Sequence, residues 1–594
     1  MGSKIKGSSL LFFALHGSLL ALLLYTRFVN LRWGLPYPFH PDERNIAVSL
    51  QGLTCHIGTV QWMNLEFWKS CLDPKFFAYG QLTIYGGYII ALLSRIATHV
   101  TGPIGFEESI VSIRLISATA SVFTVWVALK IVKLLSTSFL LYIVAAILLI
   151  YSPGAIQFAH FGTTESFLML TYTLLIYLAV RYVKGEISMG TMAGSSGFIL
   201  GLAAGAKVSS LSFALLPLAL FLFPGQKKEG KADFKRYVKD VAERALSLFL
   251  FSVTTAVVMG ATTFYSFINL KDALSSLDYE SAVALGSLQV FYTRAFAYTT
   301  PIVFQFISVF PFALGWFMTA LFMIGFFVLP WKREYIVMRL AFLLYFLPGA
   351  FTYTKWTRFM APVLPLMVLF GVFTLFKLYE YAASYIKSTK KVSLPFQNAS
   401  LFADSLFFSI SILVLMLPGL AYLTIYETPD VRFKASEWIY ENVKPDAYIL
   451  EETANVIDIP IPPPYMSKIP ATDYDYVSFN YYDLDADHKL VPELQKHIDR
   501  ADYIFVPSRR IFANHTCLRK SSDVCAKLTK TYPLLGNYYR SLFSEQLGFR
   551  EVAVITSYPR IQLFGKTLLE FPDEVAEETW TVFDHPVIRI YQRI

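Results

Sequence analysis

The chain has 594 residues, 55% hydrophobic and only 16% charged. Soluble domains carry about 25% charged residues, so the composition excludes an ordinary soluble protein. The formal net charge of +8 reads as cytoplasmic Lys and Arg of a membrane protein, and no nucleic-acid partner is inferred from it.

The basic N-terminus, Met1 to Gly7, leads into the apolar run 10–29. No small-residue cleavage site follows, so this run is expected to stay as a first span. Further apolar runs long enough to cross a bilayer fall near 110–132, 139–158, 165–182, 190–206, 210–224, 243–268, 303–330, 336–353, 361–380 and 405–426. With the first at 9–29 this makes about eleven spans. Residues 81–100 are also apolar, and the positive-inside rule decides their place. If they lie in the interface, the basic clusters at Lys130/Lys133, Arg181/Lys184, Lys227–Lys239, Lys332/Arg333 and Lys387–Lys391 all fall in the cytoplasm. If they cross, every cluster flips outside. Residues 81–100 are therefore expected to form a juxtamembrane helix within one extracytoplasmic loop, 30–109.

The same parity puts residues 427–594 outside. Charges return there, and Tyr448–Leu450, Tyr503–Val506, Val552–Ile555 and Val587–Tyr591 read as short buried strands beside a helix over 435–442. The expected architecture is a polytopic α-helical membrane module, 1–426, with juxtamembrane helices, followed by an extracytoplasmic α/β domain, 427–594. No internal repeat is visible.

The four cysteines form two local pairs, both extracytoplasmic in this topology. Disulfides belong to oxidising compartments, which points to bridges Cys55–Cys71 and Cys517–Cys525. Four free thiols are the alternative. Asn514-His515-Thr516 is a glycosylation sequon on the same side.

Ionisable residues at membrane depth are costly and are default functional candidates. His40-Pro41-Asp42-Glu43-Arg44 places two carboxylates just after the first span, where one can act as general base toward a hydroxyl. The same residues also suit a helix N-terminus. His160-Phe161-Gly162-Thr163-Thr164-Glu165 is a second acidic junction, on the same side of the membrane. Lys207, Arg294, Lys355 and Arg358 are isolated cations near that surface. They suit either phosphate recognition or lipid headgroup contact. Arg114, entering the second span, is a further cation and equally suits a structural role. His40 and His160, with the neighbouring acids, are the side chains that would hold a divalent metal if one is used.

His40-Pro41-Asp42-Glu43 followed by Arg44-Asn45-Ile46-Ala47 resembles the first-loop signature of family 39 glycosyltransferases, GT-C enzymes that include protein O-mannosyltransferases and aminoarabinose transferases of lipid A. Asp73–Leu82 resembles the family's segment leading into a juxtamembrane helix. Thr163-Thr164-Glu165 resembles its second acidic motif, with Glu where Asp is usual. Ala206-Lys207 resembles a Lys at the end of a later span, and Arg358–Pro365 resembles an Arg-aromatic-x-x-Pro-x-x-Pro element. The resemblance covers about 30–380. It implies transfer of a hexosyl or pentosyl group, mannosyltransferase-like, from a polyprenyl-monophosphate donor to a hydroxyl of a protein, lipid or glycan acceptor. Asp42 would be the base of an inverting displacement, supported by Glu43 and Glu165. Lys207, Arg358 and Arg294 would hold the donor phosphate. No cofactor is required on this reading, although some relatives bind a divalent ion. The alternative is a lipid or solute transporter or flippase, whose inverted repeats are not seen.

Overall fold

In a computed structural model, the residues described are 2–55, 65–222, 234–389, 394–453, 457–466, 468, 474–516 and 522–594. The chain is a polytopic helical bundle with a C-terminal sheet domain. Among the described residues, seven helices are long and apolar enough to cross a membrane, or up to nine if each of two bent pairs is one span. Phe13–Phe28, Leu82–Thr98 and Val208–Leu222 are shorter apolar helices.

Several expected spans differ from straight rods. The run 139–158 bends by 49° between Phe139–Ile150 and Pro153–His160, because Pro153 has no N–H to continue the ladder. The carbonyls freed at that break are taken by a buried Arg27, which donates to Ile150 O at 2.9 Å and Leu149 O at 3.0 Å. The expected single span 303–330 is instead two segments, Gln305–Leu314 and Trp316–Val328, meeting at 115°. Gly315, with φ +91, makes that corner. The run 210–224 starts as a 3₁₀ turn, Val208–Ala214, before the short α-helix Leu215–Leu222.

Small residues set one close helix contact. Gly197, Gly201 and Gly205, spaced by four along Met189–Ala206, face the helix Phe234–Thr262. A Cβ at these positions would lie 2.6 Å from Phe251 O, 2.6 Å from Val258 Cβ and 2.2 Å from Thr262 Oγ1. This is the small-xxx-small packing that lets membrane helices touch backbone to backbone. Gly80 extends it from the long loop: its N–H donates to Ala206 O at 2.9 Å, and a Cβ there would meet Gly205 O at 2.1 Å.

The long loop is itself packed. Pro41–Gln51 and Leu82–Thr98 lie against Phe106–Leu135, burying Ile46, Leu50, Ile84 and Ile113 in one apolar cluster. Cys55 and Cys71 are joined by a disulfide. Cys525 is disulfide-bonded, and Cys517 lies outside the described residues.

The C-terminal part carries strands β1 (Tyr448–Glu452), β2 (Asp475–Phe479), β3 (Tyr503–Val506), β4 (Phe549–Ile555), the hairpin β5 (Arg560–Leu563) and β6 (Lys566–Glu570), and β7 (Ile588–Arg593). The main sheet has order β2-β1-β3-β7-β4. β2, β1 and β3 run parallel, and β7 is antiparallel to both neighbours. The expected strands are present; β2 and the hairpin add to them. Ile449, Leu450, Ile504, Phe505, Ile588 and Ile590 are fully buried. The Asn514 amide of the sequon is also fully buried and donates to Arg510 O, which closes it to a glycosylating enzyme. Phe433, Ile461, Ala576 and Trp580 belong to the same apolar core as the membrane helices, so the sheet domain is seated on the bundle.

Candidate active site

Four of the singled-out charges converge, each from a helix terminus. Asp42 opens the helix Pro41–Gln51, where His40 is the N-cap and its Nδ1 accepts the Asp42 N–H at 3.2 Å. Glu165 opens Glu165–Val183, Lys207 closes Met189–Ala206, and Arg358 sits in the 3₁₀ turn Thr357–Val363. They form two ion pairs. Arg358 Nη1 donates to Asp42 Oδ2, and Lys207 Nζ donates to Glu165 Oε1 at 3.2 Å. The Asp42 side chain is 22% exposed, whereas Glu165 is 3% exposed, so Asp42 is the less buried of the two acids.

Tyr79 ties the pairs together. Its hydroxyl faces Asp42, and its ring lies under Lys207, 5.0 Å from Nζ to centroid. Burial pushes the Tyr79 hydroxyl well above its ordinary value, so it stays protonated beside Asp42. Arg358 also rests on the Trp356 face at 4.4 Å. Burial alone would raise the Asp42 carboxyl. The charges of Arg358 and Lys207, with that of His40 in acid where its ring is protonated, overcome it and hold Asp42 down at about 2. Burial lowers His40 below its ordinary 6.5, so its ring is neutral at pH 7.

A cavity of about 340 Å³ runs from this cluster. Its polar end presents Lys207, Arg358 and Glu280; its walls are apolar, with Met259, Phe267, Leu270, Leu274 and Leu277 among them. Glu280 lies on the helix Leu270–Leu285, and burial raises its carboxyl above the ordinary range despite Arg358 and Lys207. A second void of about 10 Å³, the size of one water, also touches Arg358. It is lined by His40, Gln157, Thr163 and Glu165 and, from the C-terminal domain, by Thr579 and Phe583.

The remaining expected site residues lie elsewhere. Glu43 adjoins Asp42 but is 1% exposed and saturated. Arg114 grips it with Nε at 2.7 Å and Nη2 at 2.8 Å, and the Gly162 N–H donates to it at 2.6 Å. Arg114 also holds Leu31 O and Trp33 O. No acceptor reaches Glu43; it ties the loop to the bundle. Arg294 faces the C-terminal domain, 3.1 Å from His515 Nε2 and over the Tyr532 ring, and does not line the cavity. Lys355 is buried and donates to Tyr353 O.

The two histidines do not make a metal site. His40 lends Nδ1 to a backbone N–H and is wedged between Phe161 and Phe583, with centroids at 4.7 and 4.4 Å. Both ring nitrogens of His160 face carbonyls, Ile156 O at 2.8 Å and Val29 O at 2.9 Å, and the ring stacks on Tyr426. Among the described residues no three His, Cys, Asp or Glu side chains converge on a metal position.

No protein-family model and no curated protein matches the chain. Among solved structures it is similar to ArnT from Cupriavidus metallidurans in the apo state, at 11% identity and TM-score 0.44, covering 75% of this chain and 83% of that one. The same protein bound to undecaprenyl phosphate matches at 13% identity and TM-score 0.45 over the same shares. An Archaeoglobus fulgidus oligosaccharyltransferase tethered with an acceptor peptide matches at 10% identity and TM-score 0.44, covering 98% of this chain and 88% of that one.

Proposed function

We propose that the chain is a membrane glycosyltransferase of the GT-C type, moving a sugar from a polyprenyl-monophosphate donor to an acceptor hydroxyl. The observation that carries this reading is the cavity: long apolar walls end at two cations, Lys207 and Arg358, beside one partly open carboxylate, Asp42. That is the chemistry of a lipid tail, its phosphate and a base, in that order. The order of motifs along the chain, similar to that of family 39 glycosyltransferases, supports it independently.

The acceptor oxygen attacks the anomeric carbon as the bond from that carbon to the phosphate oxygen breaks, inverting the centre. Asp42 takes the hydroxyl proton. The leaving polyprenyl phosphate gains charge, which Lys207 and Arg358 neutralise, so neither a general acid nor a metal is needed. A carboxylate held at about 2 is a weak base. Donor phosphate shares the Arg358 guanidinium and relaxes that hold, so Asp42 strengthens as a base when donor is in place. Glu165 keeps Lys207 aimed into the cavity rather than touching the acceptor. Residues 1–426 are the catalytic module in this reading, and 427–594 form the acceptor-side domain. The site faces the extracytoplasmic side.

The test is Asp42→Asn in purified protein with a polyprenyl-phosphate sugar. A loss of about 10²–10⁴-fold in turnover is expected for a missing base; undiminished turnover overturns the assignment. A transporter would instead move substrate across sealed liposomes without consuming donor. Labelling of a cysteine placed at Lys228 from outside intact cells would reverse the orientation.

A further inference from the structure

The donor-site cation Arg358 is not held in place by its own module alone. The 3₁₀ turn that carries it begins at Thr357, and the first N–H groups of any such turn lack partners within it. Here the partner comes from the C-terminal domain. Glu577 Oε2 accepts both the Thr357 N–H and the Thr357 hydroxyl, each at 2.9 Å. Oε1 accepts the Thr579 N–H at 2.9 Å, and Oε2 also accepts the Thr579 hydroxyl at 2.6 Å. Glu577 is 2% exposed, so its charge depends on these four donors and on the nearby cations Arg358 and Arg509.

The strand of chain around Glu577 is anchored on both sides. The Glu577 N–H donates to Ser308 O at 2.8 Å. Arg509 holds Ala576 O and Glu577 O, both at 2.9 Å, and Arg510 pairs with Glu578 at 3.0 Å. Further on, Asp584 Oδ2 accepts from Tyr422 at 2.7 Å and Tyr426 at 2.9 Å, both on the last membrane helix. The Glu577 carboxylate is therefore a fixed point against which the Arg358 turn is set. Arg358 Nε makes no hydrogen bond, so the direction of the guanidinium depends on this backbone, on Asp42 and on the Trp356 face.

We propose that Glu577 is a positioning residue for donor binding: it caps the Arg358 turn from the C-terminal domain and fixes where the guanidinium meets the donor phosphate. The inference rests on the reading of Arg358 as a phosphate-binding group. A domain outside the membrane module thus contributes to donor affinity, not only to the acceptor side.

The test measures binding of polyprenyl monophosphate, without sugar or acceptor, to full-length protein in nanodiscs. Four proteins are compared with the wild type: Glu577→Gln, Arg358→Gln, the double variant, and Glu574→Gln as control. Glu574 lies on the same segment but pairs with Arg589, away from Thr357. Glu577→Gln is expected to raise Kd about tenfold, and Glu574→Gln to leave it unchanged at a comparable melting temperature. In the Arg358→Gln background, Glu577→Gln is expected to add no further loss, because coupled residues are non-additive. Equal weakening by Glu574→Gln and Glu577→Gln, full additivity in the double variant, or an unchanged Kd for Glu577→Gln each overturns the positioning role. An unchanged Kd for Arg358→Gln overturns the donor-site reading beneath it, which is a separate result.

Discussion

The Asp42 carboxylate and the Arg358 guanidinium, 316 residues apart in the chain, form one ion pair at the head of the apolar cavity. The pair makes the two groups report on each other, and the pH profile is where this shows. Asp42 is held at about 2, below its ordinary 3.8, so the carboxylate is the form present through the neutral range. The acid limb of kcat/KM due to Asp42 is expected well below pH 4 in the free enzyme. In Arg358→Gln that limb is expected to move upward, because burial then acts on Asp42 with less opposition. Rate profiles of the two proteins over the acid range check this; coincident limbs would refute it.

Gly80 places Tyr79 against Lys207 by letting two backbones touch. Gly80→Ala puts a methyl 2.1 Å from Gly205 O, an overlap that backbone must move to relieve. A loss of about 1–3 kcal/mol of stability is expected, together with a raised donor KM as Tyr79 leaves Lys207. Thermal melts and donor titration of the variant measure both.

The Glu43–Arg114 pair is expected to matter for folding rather than for chemistry. Both side chains are at most 4% exposed. Removing one partner strands the other charge, at a cost of about 3–5 kcal/mol. Arg114→Met should therefore lower the melting temperature sharply. The double variant Glu43→Gln/Arg114→Met should recover part of that loss, and what folds should turn over donor. A single variant as stable as wild type would contradict the assignment.

His585 gives a stability signature in alkali. Its ring lies between Asp573 at 2.9 Å and Asp584 at 2.6 Å. Burial opposes its charge, but the two carboxylates raise it from 6.5 to about 10. A raised folded pKa contributes stability in full below about 6.5, and the contribution fades as pH rises through about 10. The melting temperature is expected to fall across that window, with a flatter profile in His585→Gln. Identical slopes would refute the imidazolium.

The polar end of the cavity was legible in sequence because charges in apolar surroundings stand out. Asp42, Lys207, Arg358 and Glu165 all come together as pairs. Glu43 misleads for a geometric reason: neighbours on a helix differ in direction by about 100°, so Asp42 turns to Arg358 while Glu43 turns into the bundle to Arg114. Arg294 misleads because a cation beside the membrane surface serves equally well against another domain. Tyr79 lay inside the segment Asp73–Leu82 but carries no charge to mark it. Glu280 carried the only local signal missed, an acid on a helix with a leucine-rich face. Thr579, Phe583 and Glu577 have no local signal, since the site residues they meet, His40, Thr357 and Arg358, lie more than 200 residues earlier in the chain. The break at Gly315 is likewise invisible to hydropathy, which counts apolar residues and not the angle between them.

The helix Leu270–Leu285 walls the cavity with Leu270, Leu274 and Leu277, yet those three side chains are 52%, 50% and 40% exposed. The wall is one helix thick and greasy on its open side, a slot rather than a well. If the proposed donor lies there, its tail would exchange sideways across this open face. Release of the spent carrier would then be expected to depend on the surrounding lipids. The same protein would run at different speeds in lipids of different chain length, with no residue changed.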